Sequence, residues 1–290
     1  MSVTTSTRKN VSVRIREYAQ GDTEMPVSER KPARANALAV VQRILSYAPP
    51  LVLGLFFLIS WYVGTVYGHI NGLILPTPGD VFSSLSDGLK SGLFLSNALV
   101  TIQESLFGFL LALIVALPLG YGLAKSGIIA SAVQPYLAAG QAIPAIVIAP
   151  VLVFWLGSGL VPIMIVCMLV VFFPMVLTIA FGVQTIDKTL TDAARVEGAS
   201  GWPLLTFIEF PLALPAILTA VRTGLTLSIT GALVGEFVSG GDQGLGALVQ
   251  IAREQFNTPQ LFATLVVLAM LAAVYYSTTW LLVTLAETVY

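Results

Sequence analysis

The run SGIIASAVQPYLAAGQAIPAIVIAPVLVFWLGSGLVPIMIVCMLVVFFPMVLTIAFGVQTI, residues 126–186, has 61 consecutive positions without an Asp, Glu, Lys, Arg or His. A membrane-spanning helix needs only about 20 apolar residues in a row, so this run is long enough for more than one crossing. Its apolar residues are continuous and do not alternate in the ten-residue segments of a membrane β-barrel. The run therefore predicts helices, which satisfy all their backbone hydrogen bonds internally.

The rest of the chain agrees with this class. Of its 290 residues, 56% are hydrophobic and 10% are charged, against roughly 25% charged in soluble domains. A second charge-free run covers the 32 residues 255–286. We expect an all-α polytopic membrane protein with about six transmembrane helices. The spans are predicted near residues 49–69, 97–121, 130–157, 161–184, 212–237 and 260–286.

The distribution of basic residues predicts the topology. Eight of the 14 Lys and Arg residues precede the first span, which favours a cytoplasmic amino terminus. Six spans return the carboxyl terminus to the cytoplasm and leave only Lys90 and Arg253 outside. The early segment also contains four acidic residues, so we expect it to meet the membrane surface and not a nucleic acid. We predict a flexible cytoplasmic tail, residues 1–45, and a membrane-spanning domain, residues 46–290, in the cell membrane.

The third apolar segment contains three prolines, Pro135, Pro144 and Pro150, which predict a bent or broken helix. A broken helix at membrane depth either lines a water-filled path or packs as an ordinary kink, and both alternatives stay open. Arg222 and Glu236 are ionisable residues in or near a span, where such groups face a path or form structural hydrogen bonds. They lie roughly 21 Å apart along a helix and so do not pair. The candidate path residues are Pro144, Pro150, Arg222 and Glu236.

Two polar segments carry helix signals. In ILPTPGDVFSSL, Thr77 suits a helix cap, Pro78 a first helical position and Asp80 a capping box, which predicts a short amphipathic helix on the outer face. In residues 188–211, Thr189 and Thr191 offer capping hydroxyls, and Gly198 permits a left-handed stop. A second short helix is expected from Ser200, before re-entry into the membrane near Pro211 and Pro215.

This second polar segment is suited to docking another protein. Ala193 and Ala194 permit close approach, and charged contacts are available at the rim from Asp192, Arg195 and Glu197. The alternative is a loop helix that only covers the bundle. The segment DAARVEGASGWPLLTFIEFP, residues 192–211, resembles the EAA loop of importer permeases of the ATP-binding-cassette class.

Further motifs resemble the same family over roughly residues 45–288. They are ILPTPGDV, AIPAIVIAPVLVFWLGSG, FFPMVLTIAFGV, ALPAILTAVRTG and GEFVSGGDQGLG. The resemblance implies a type I, MetI-like permease fold with a cytoplasmic coupling helix. It also implies a second permease copy as a homodimer, two cytoplasmic ATPase subunits and an extracytoplasmic solute-binding protein. By this resemblance the ATPase-docking residues are Asp192, Ala193, Ala194, Arg195, Glu197, Gly198, Ile208 and Pro211. Asp192 replaces the usual glutamate with a shorter carboxylate of the same charge, and Phe210 replaces the usual leucine.

The chain offers no signal for its own chemistry. No G-x-x-x-x-G-K-[ST] sequence occurs, so the chain has no P-loop, and ATP is expected only on partner subunits. GGDQGLG, residues 240–246, follows an apolar span and predicts a tight outer turn. Cys167 is expected to behave as a small hydrophobe, and His69 to lie at the membrane interface. We expect a transport subunit with no catalytic or metal site.

One stretch of the sequence bears on the substrate. The stretch from Gly231 to Leu268 resembles the branch of the family that carries riboflavin or thiamine pyrimidine precursors. Permeases for nitrate, sulfonates or taurine are the alternative. An ion-coupled carrier is a further alternative, but it would require inverted repeats and acidic relays near the membrane midplane, and neither is found in the sequence.

Overall fold

The computed structural model describes residue 49 and residues 52–68 and 70–289, and within these every regular element is a helix. The predicted tail, residues 1–45, and His69 lie outside the described residues. The helices are α1 (Val52–Val66), α2 (Pro78–Lys90), α3 (Leu93–Lys125), α4 (Gly127–Ala142), α5 (Ala145–Leu156), α6 (Leu160–Gln184), α7 (Lys188–Val196), α8 (Gly201–Ser239), α9 (Leu245–Glu254) and α10 (Thr258–Val289). The chain forms two units, divided between Ser60 and Trp61, and all contacts below belong to the second.

Within the described residues, four helices, α3, α6, α8 and α10, are long and apolar enough to cross a membrane. Helices α4 and α5 form a fifth candidate, a pair bent by 95°. The predicted all-α polytopic class is therefore confirmed. The first predicted span, residues 49–69, falls on the shorter apolar helix α1 and on residues outside those described, so it stays a prediction.

The bend between α4 and α5 lies at Pro144. The preceding Ile143 has an extended backbone, φ −83° and ψ 116°, because the proline ring disfavours the helical region for its predecessor. Pro135 and Pro150 lie inside α4 and α5. The predicted break is confirmed, and one of the three prolines coincides with it.

The core is formed by α3, α6 and α8, with α6 packed against both of the others. Phe109, Val171, Met175 and Ala220 are buried between these helices. The backbones approach closely at Gly231, where an added Cβ would lie 2.6 Å from the Cα of Cys167. Small residues are the usual means of close helix packing in membranes. Cys167 is fully buried, as its apolar surroundings in the sequence predicted.

Helix α2 begins as the sequence predicts. Thr77 is its N-cap, with the side chain accepting from the backbone N–H of Asp80 at 3.2 Å, and Pro78 is its first residue. Val81 of α2 is buried in a second apolar cluster, with Phe94 of α3 and Leu245 of α9. The amphipathic helix is thereby fixed to one end of the bundle.

Helix α8 differs from the prediction of a separate short helix followed by a span at 212–237. It is continuous from Gly201 to Ser239 and contains one π-helical turn, Leu205–Glu209. Pro211 lies two residues after the end of this turn. Proline has no N–H, and in a regular α-helix its ring would collide with the carbonyl four residues earlier. The π turn, in which the N–H of Phe210 donates to the Leu205 carbonyl, changes this spacing and lets the helix continue.

Candidate functional site

Helix α7 is a short polar helix at one end of the bundle, and its cap differs from the expected one. Asp187, and not a threonine, is the N-cap, and its Oδ1 accepts from the backbone N–H of Thr189 at 2.8 Å. This bond, with a further one from the Thr189 side chain, holds the pKa of Asp187 below its usual value. The Thr191 hydroxyl donates to the Lys188 carbonyl within the helix. A carboxylate is the stronger cap because it also complements the positive end of the helix dipole.

Helix α7 has one face toward the protein and one toward solvent. Thr191 and Ala194 are buried, and the helix contacts the first turns of α8. Asp192, Ala193, Arg195 and Glu197 are exposed. Of the two alanines expected to admit a partner, only Ala193 lies on the open face.

The charged side chains of the open face are available for contacts. Arg195 Nη1 lies 3.1 Å from Asp192 Oδ1, with both side chains more than half exposed. An exposed pair three residues apart contributes well under 1 kcal/mol. Breaking the Asp192–Arg195 pair therefore costs little free energy, and each side chain is free to contact another protein instead.

The end of α7 is a Schellman motif. The N–H of Ala199 donates to the Ala194 carbonyl at 2.9 Å, and the N–H of Gly198 donates to the Arg195 carbonyl at 3.0 Å. Gly198 has φ 97°, a backbone conformation that residues other than glycine rarely adopt. The predicted left-handed stop is confirmed. It turns the chain sharply into α8, where Ile208 and Pro211 are half-buried.

Glu209, which the sequence pattern treats as a spacer, is the buried anchor of this end. Its carboxylate accepts from the Tyr121 hydroxyl at 2.6 Å and from Lys125 Nζ at 2.7 Å. These partners hold the end of α3 against the π turn of α8. Two signals in the sequence pointed to the group: a lone acid within FIEFP, and a tyrosine and lysine four residues apart, on one face of a helix.

A groove of about 650 Å³ separates α7 from the ends of α3 and α6. Lys125, Lys188 and Arg195 line it, together with Asp192. The groove has both charged and apolar walls, and the buried residues of α7 are Thr191 and Ala194. This arrangement suits a helix that is gripped from outside.

The opposite end of the bundle is held by Glu236, which is 1% exposed. Its carboxylate accepts from the Thr101 hydroxyl at 2.6 Å and from the backbone N–H groups of Gly246 and Ala247. It thus caps α9 from another helix and occupies the N-terminus where an anion would bind. GGDQGLG forms a turn, as predicted.

Helix α3 supplies the other contacts to this turn. Asn97 Oδ1 accepts from the N–H of Gly244 at 2.8 Å, and Thr101 Oγ1 from the N–H of Leu245 at 2.9 Å. Sequence reasoning missed Asn97 and Thr101. The sequence pattern that could have identified them is a row of polar residues on an otherwise apolar helix, because residues 97, 101 and 104 lie on one face.

The four candidate path residues lie in three settings. Pro144 is at the bend and Pro150 is exposed within α5. Arg222 Nη2 donates to the Tyr276 hydroxyl of α10 at 2.7 Å, with the guanidinium 4.9 Å from that ring's centroid. Glu236 accepts hydrogen bonds from Thr101 of α3 and from the start of α9. Their place on a translocation path stays a prediction. In the described ranges, no group of three His, Cys, Asp or Glu residues is arranged to hold a metal ion.

Comparison with known proteins gives consistent matches. Residues 106–289 match the family model of the binding-protein-dependent transport system inner membrane component. The riboflavin transport system permease protein RibX of Chloroflexus aurantiacus is 41% identical over 222 residues, 77% of this chain and 82% of that protein.

A more distant relative and a solved structure agree. The formylaminopyrimidine transport permease protein ThiX of Halalkalibacterium halodurans is 28% identical over 219 residues, 75% of this chain and 87% of that protein. Among solved structures, the MetNI methionine ABC transporter in an inward-facing conformation matches with a TM-score of 0.55 and 21% identity. The match covers 67% of this chain and 96% of that one. This structural match supports the MetI-like fold.

Proposed function

Because this chain belongs to the family of binding-protein-dependent transport system inner membrane components, and is a permease subunit of an ATP-binding-cassette importer, we propose that it carries a vitamin-type heterocycle. The chemical class is riboflavin or a thiamine pyrimidine precursor. The proposal is supported by the relatives RibX and ThiX, whose names state riboflavin and formylaminopyrimidine transport.

The observation that carries the mechanism is the placement of α7. It presents an exposed polar face, ends in a fixed turn at Gly198, and leads directly into α8, whose first turns are tied to α3 through Glu209. In our proposal a cytoplasmic ATPase subunit grips this face. Displacement of α7 then moves α8 and α3 together, because the ion pair and the turn transmit the motion as a rigid body.

The remaining partners follow from the same mechanism. We propose that two copies of the chain face each other, with two ATPase subunits on the cytoplasmic side and a solute-binding protein outside. Helices α4 and α5 carry large exposed apolar side chains, among them Phe154 at 86% and Trp155 at 72%. Such a surface requires cover from lipid or from a second copy. Both termini and α7 lie in the cytoplasm in this arrangement.

Uptake by the assembled importer tests the proposal. The chain is reconstituted in proteoliposomes with its cognate ATPase and solute-binding subunits, and uptake of riboflavin, formylaminopyrimidine and ethanesulfonate is measured. We expect ATP-dependent uptake of one of the two heterocycles. Uptake of ethanesulfonate alone would move the chain to the sulfonate branch, and uptake without the ATPase subunits would identify an ion-coupled carrier.

A further inference from the structure

A cavity of about 480 Å³ lies at the Glu236 end of the bundle. Its walls come from the start of α3, the start of α6 and the turn that follows α8. Ligand sites for small molecules typically enclose about 300–1,000 Å³, so the cavity is large enough for a heterocycle or a substantial part of one. It lies beside the buried contacts of Glu236.

Glu104 of α3 lines this cavity and is 4% exposed. Its Oε2 is enclosed and receives a hydrogen bond from no N–H or O–H group of the described residues. A buried carboxyl group without a donor is costly and rare in native proteins. The group therefore needs a partner that is not among the donors around it.

The carboxyl group of Glu236 is a neighbour of Glu104. Glu236 already accepts from the Thr101 hydroxyl and two backbone N–H groups. Both oxygens of Glu236 thus act as acceptors for these groups. The acceptor capacity of Glu104 Oε2 therefore remains for a donor in the cavity.

The other polar lining indicates the ligand chemistry. Gln103, Ser158 and Gln243 offer neutral groups, and Asp242 is the second carboxylate. The lining includes no Lys or Arg. An anion such as a sulfonate would meet carboxyl groups without a compensating cation, whereas an N–H or O–H donor would satisfy Glu104.

We propose that this cavity binds the hydrogen-bond-donating edge of the transported molecule, with Glu104 as the acceptor. The donor is an N–H or O–H group on a neutral heterocycle. This inference rests on the proposed function and adds a site within the permease itself. It also gives a physical reason for the chain to favour a heterocycle over an oxyanion.

Binding is measured on the permease with its ATPase subunits in lipid nanodiscs, by the quenching of riboflavin fluorescence and by competition with formylaminopyrimidine and ethanesulfonate. Glu104→Gln keeps a carbonyl acceptor, and we expect its affinity to stay within about threefold of the parent. Glu104→Met removes the acceptor and should weaken binding at least about tenfold, which equals about 1.4 kcal/mol. Gln243→Leu, in the exposed turn, should weaken binding without disturbing the helix core.

Several results would overturn the site. These are unchanged affinity in both Glu104→Met and Gln243→Leu, an equal loss in Glu104→Gln and Glu104→Met, competition by ethanesulfonate, or no binding of either heterocycle by the parent. The uptake assay keeps the two proposals apart. If liposomes with the parent importer take up only ethanesulfonate, the proposed substrate is wrong. If they take up a heterocycle but Glu104→Met and Gln243→Leu bind it as tightly as the parent, only this site is wrong.

Discussion

Glu209 and Glu236 lie near opposite ends of α8, and their buried carboxylates are satisfied in different ways. Glu209 has a cation and a phenol as partners, and both come from α3. Glu236 has a hydroxyl and two backbone N–H groups of α9. The first arrangement ties two long helices together, and the second fixes a turn. Each single residue thus sets the position of a whole segment.

The close approach of Glu236 to α9 depends on glycine. An added Cβ at Gly246 would lie 2.7 Å from Glu236 Oε2, so Gly246→Ala should displace the carboxylate and lower the free energy of unfolding by about 1–3 kcal/mol. Thermal unfolding in detergent measures the effect. The matched control is Gly241→Ala in the same turn, where the nearest atom to an added Cβ is 3.6 Å away. Equal melting temperatures for the two variants would contradict this role.

At the scale of elements, α7 differs from the other helices in having few buried side chains. It is nine residues long, and only two of its side chains, Thr191 and Ala194, are buried. An isolated helix of this length is marginal in water, so its cap at Asp187 and its turn at Gly198 must hold it in shape. A preformed helix loses little conformational entropy when a partner binds.

Charge reversal on α7 tests the proposed docking. Asp192→Lys places a like charge beside Arg195 and removes a rim carboxylate, so we expect the ATPase subunit to bind at least about tenfold more weakly. Copurification and titration of the ATPase subunit give the affinity. The control is Asp87→Lys on α2, the same change at the other end of the bundle, which should bind within about twofold of the parent. ATPase binding that is unaffected by Asp192→Lys but reduced by Asp87→Lys would place the docking surface elsewhere.

At the scale of the whole molecule, the bundle has two chemically different ends. The α7 end has Lys125, Lys188 and Arg195. The other end has the amphipathic helix α2, the glycine-rich turn and the carboxyl-lined cavity. By the positive-inside rule, we expect the basic end to be the cytoplasmic one. In this orientation α7 faces the proposed ATPase subunits, and the other end of the bundle faces the proposed solute-binding protein.

Cysteine labelling in cells tests the orientation. The sole native cysteine, Cys167, is fully buried, so we expect the maleimide not to label the parent protein. We expect a membrane-impermeant maleimide to label Asp242→Cys in intact cells, and to label Val196→Cys, at a position 89% exposed, only in inverted vesicles. The reverse pattern would contradict the proposed topology.

The sequence was informative wherever a local interaction fixes the structure. The charge-free run predicted helices because a bilayer leaves the backbone no other partner. Thr77 and Gly198 predicted a helix start and a helix end, since caps and left-handed turns involve only neighbouring residues. At Pro211 the same local reasoning was wrong. The proline's clash with the preceding turn is relieved by a π turn inside a helix that packs against α3 and α6.

By itself, then, the sequence determined the class, the break near Pro144, the polar helix and its stop, and through its motifs the family. Only the tertiary structure decided which polar groups meet. Glu209 is 84 residues from Lys125, and Thr101 is 135 residues from Glu236. Glu104 becomes a candidate acceptor only because α3 and α8 are neighbours. A periodic pattern specifies which face of a helix is polar, but the partner of that face depends on packing between distant segments.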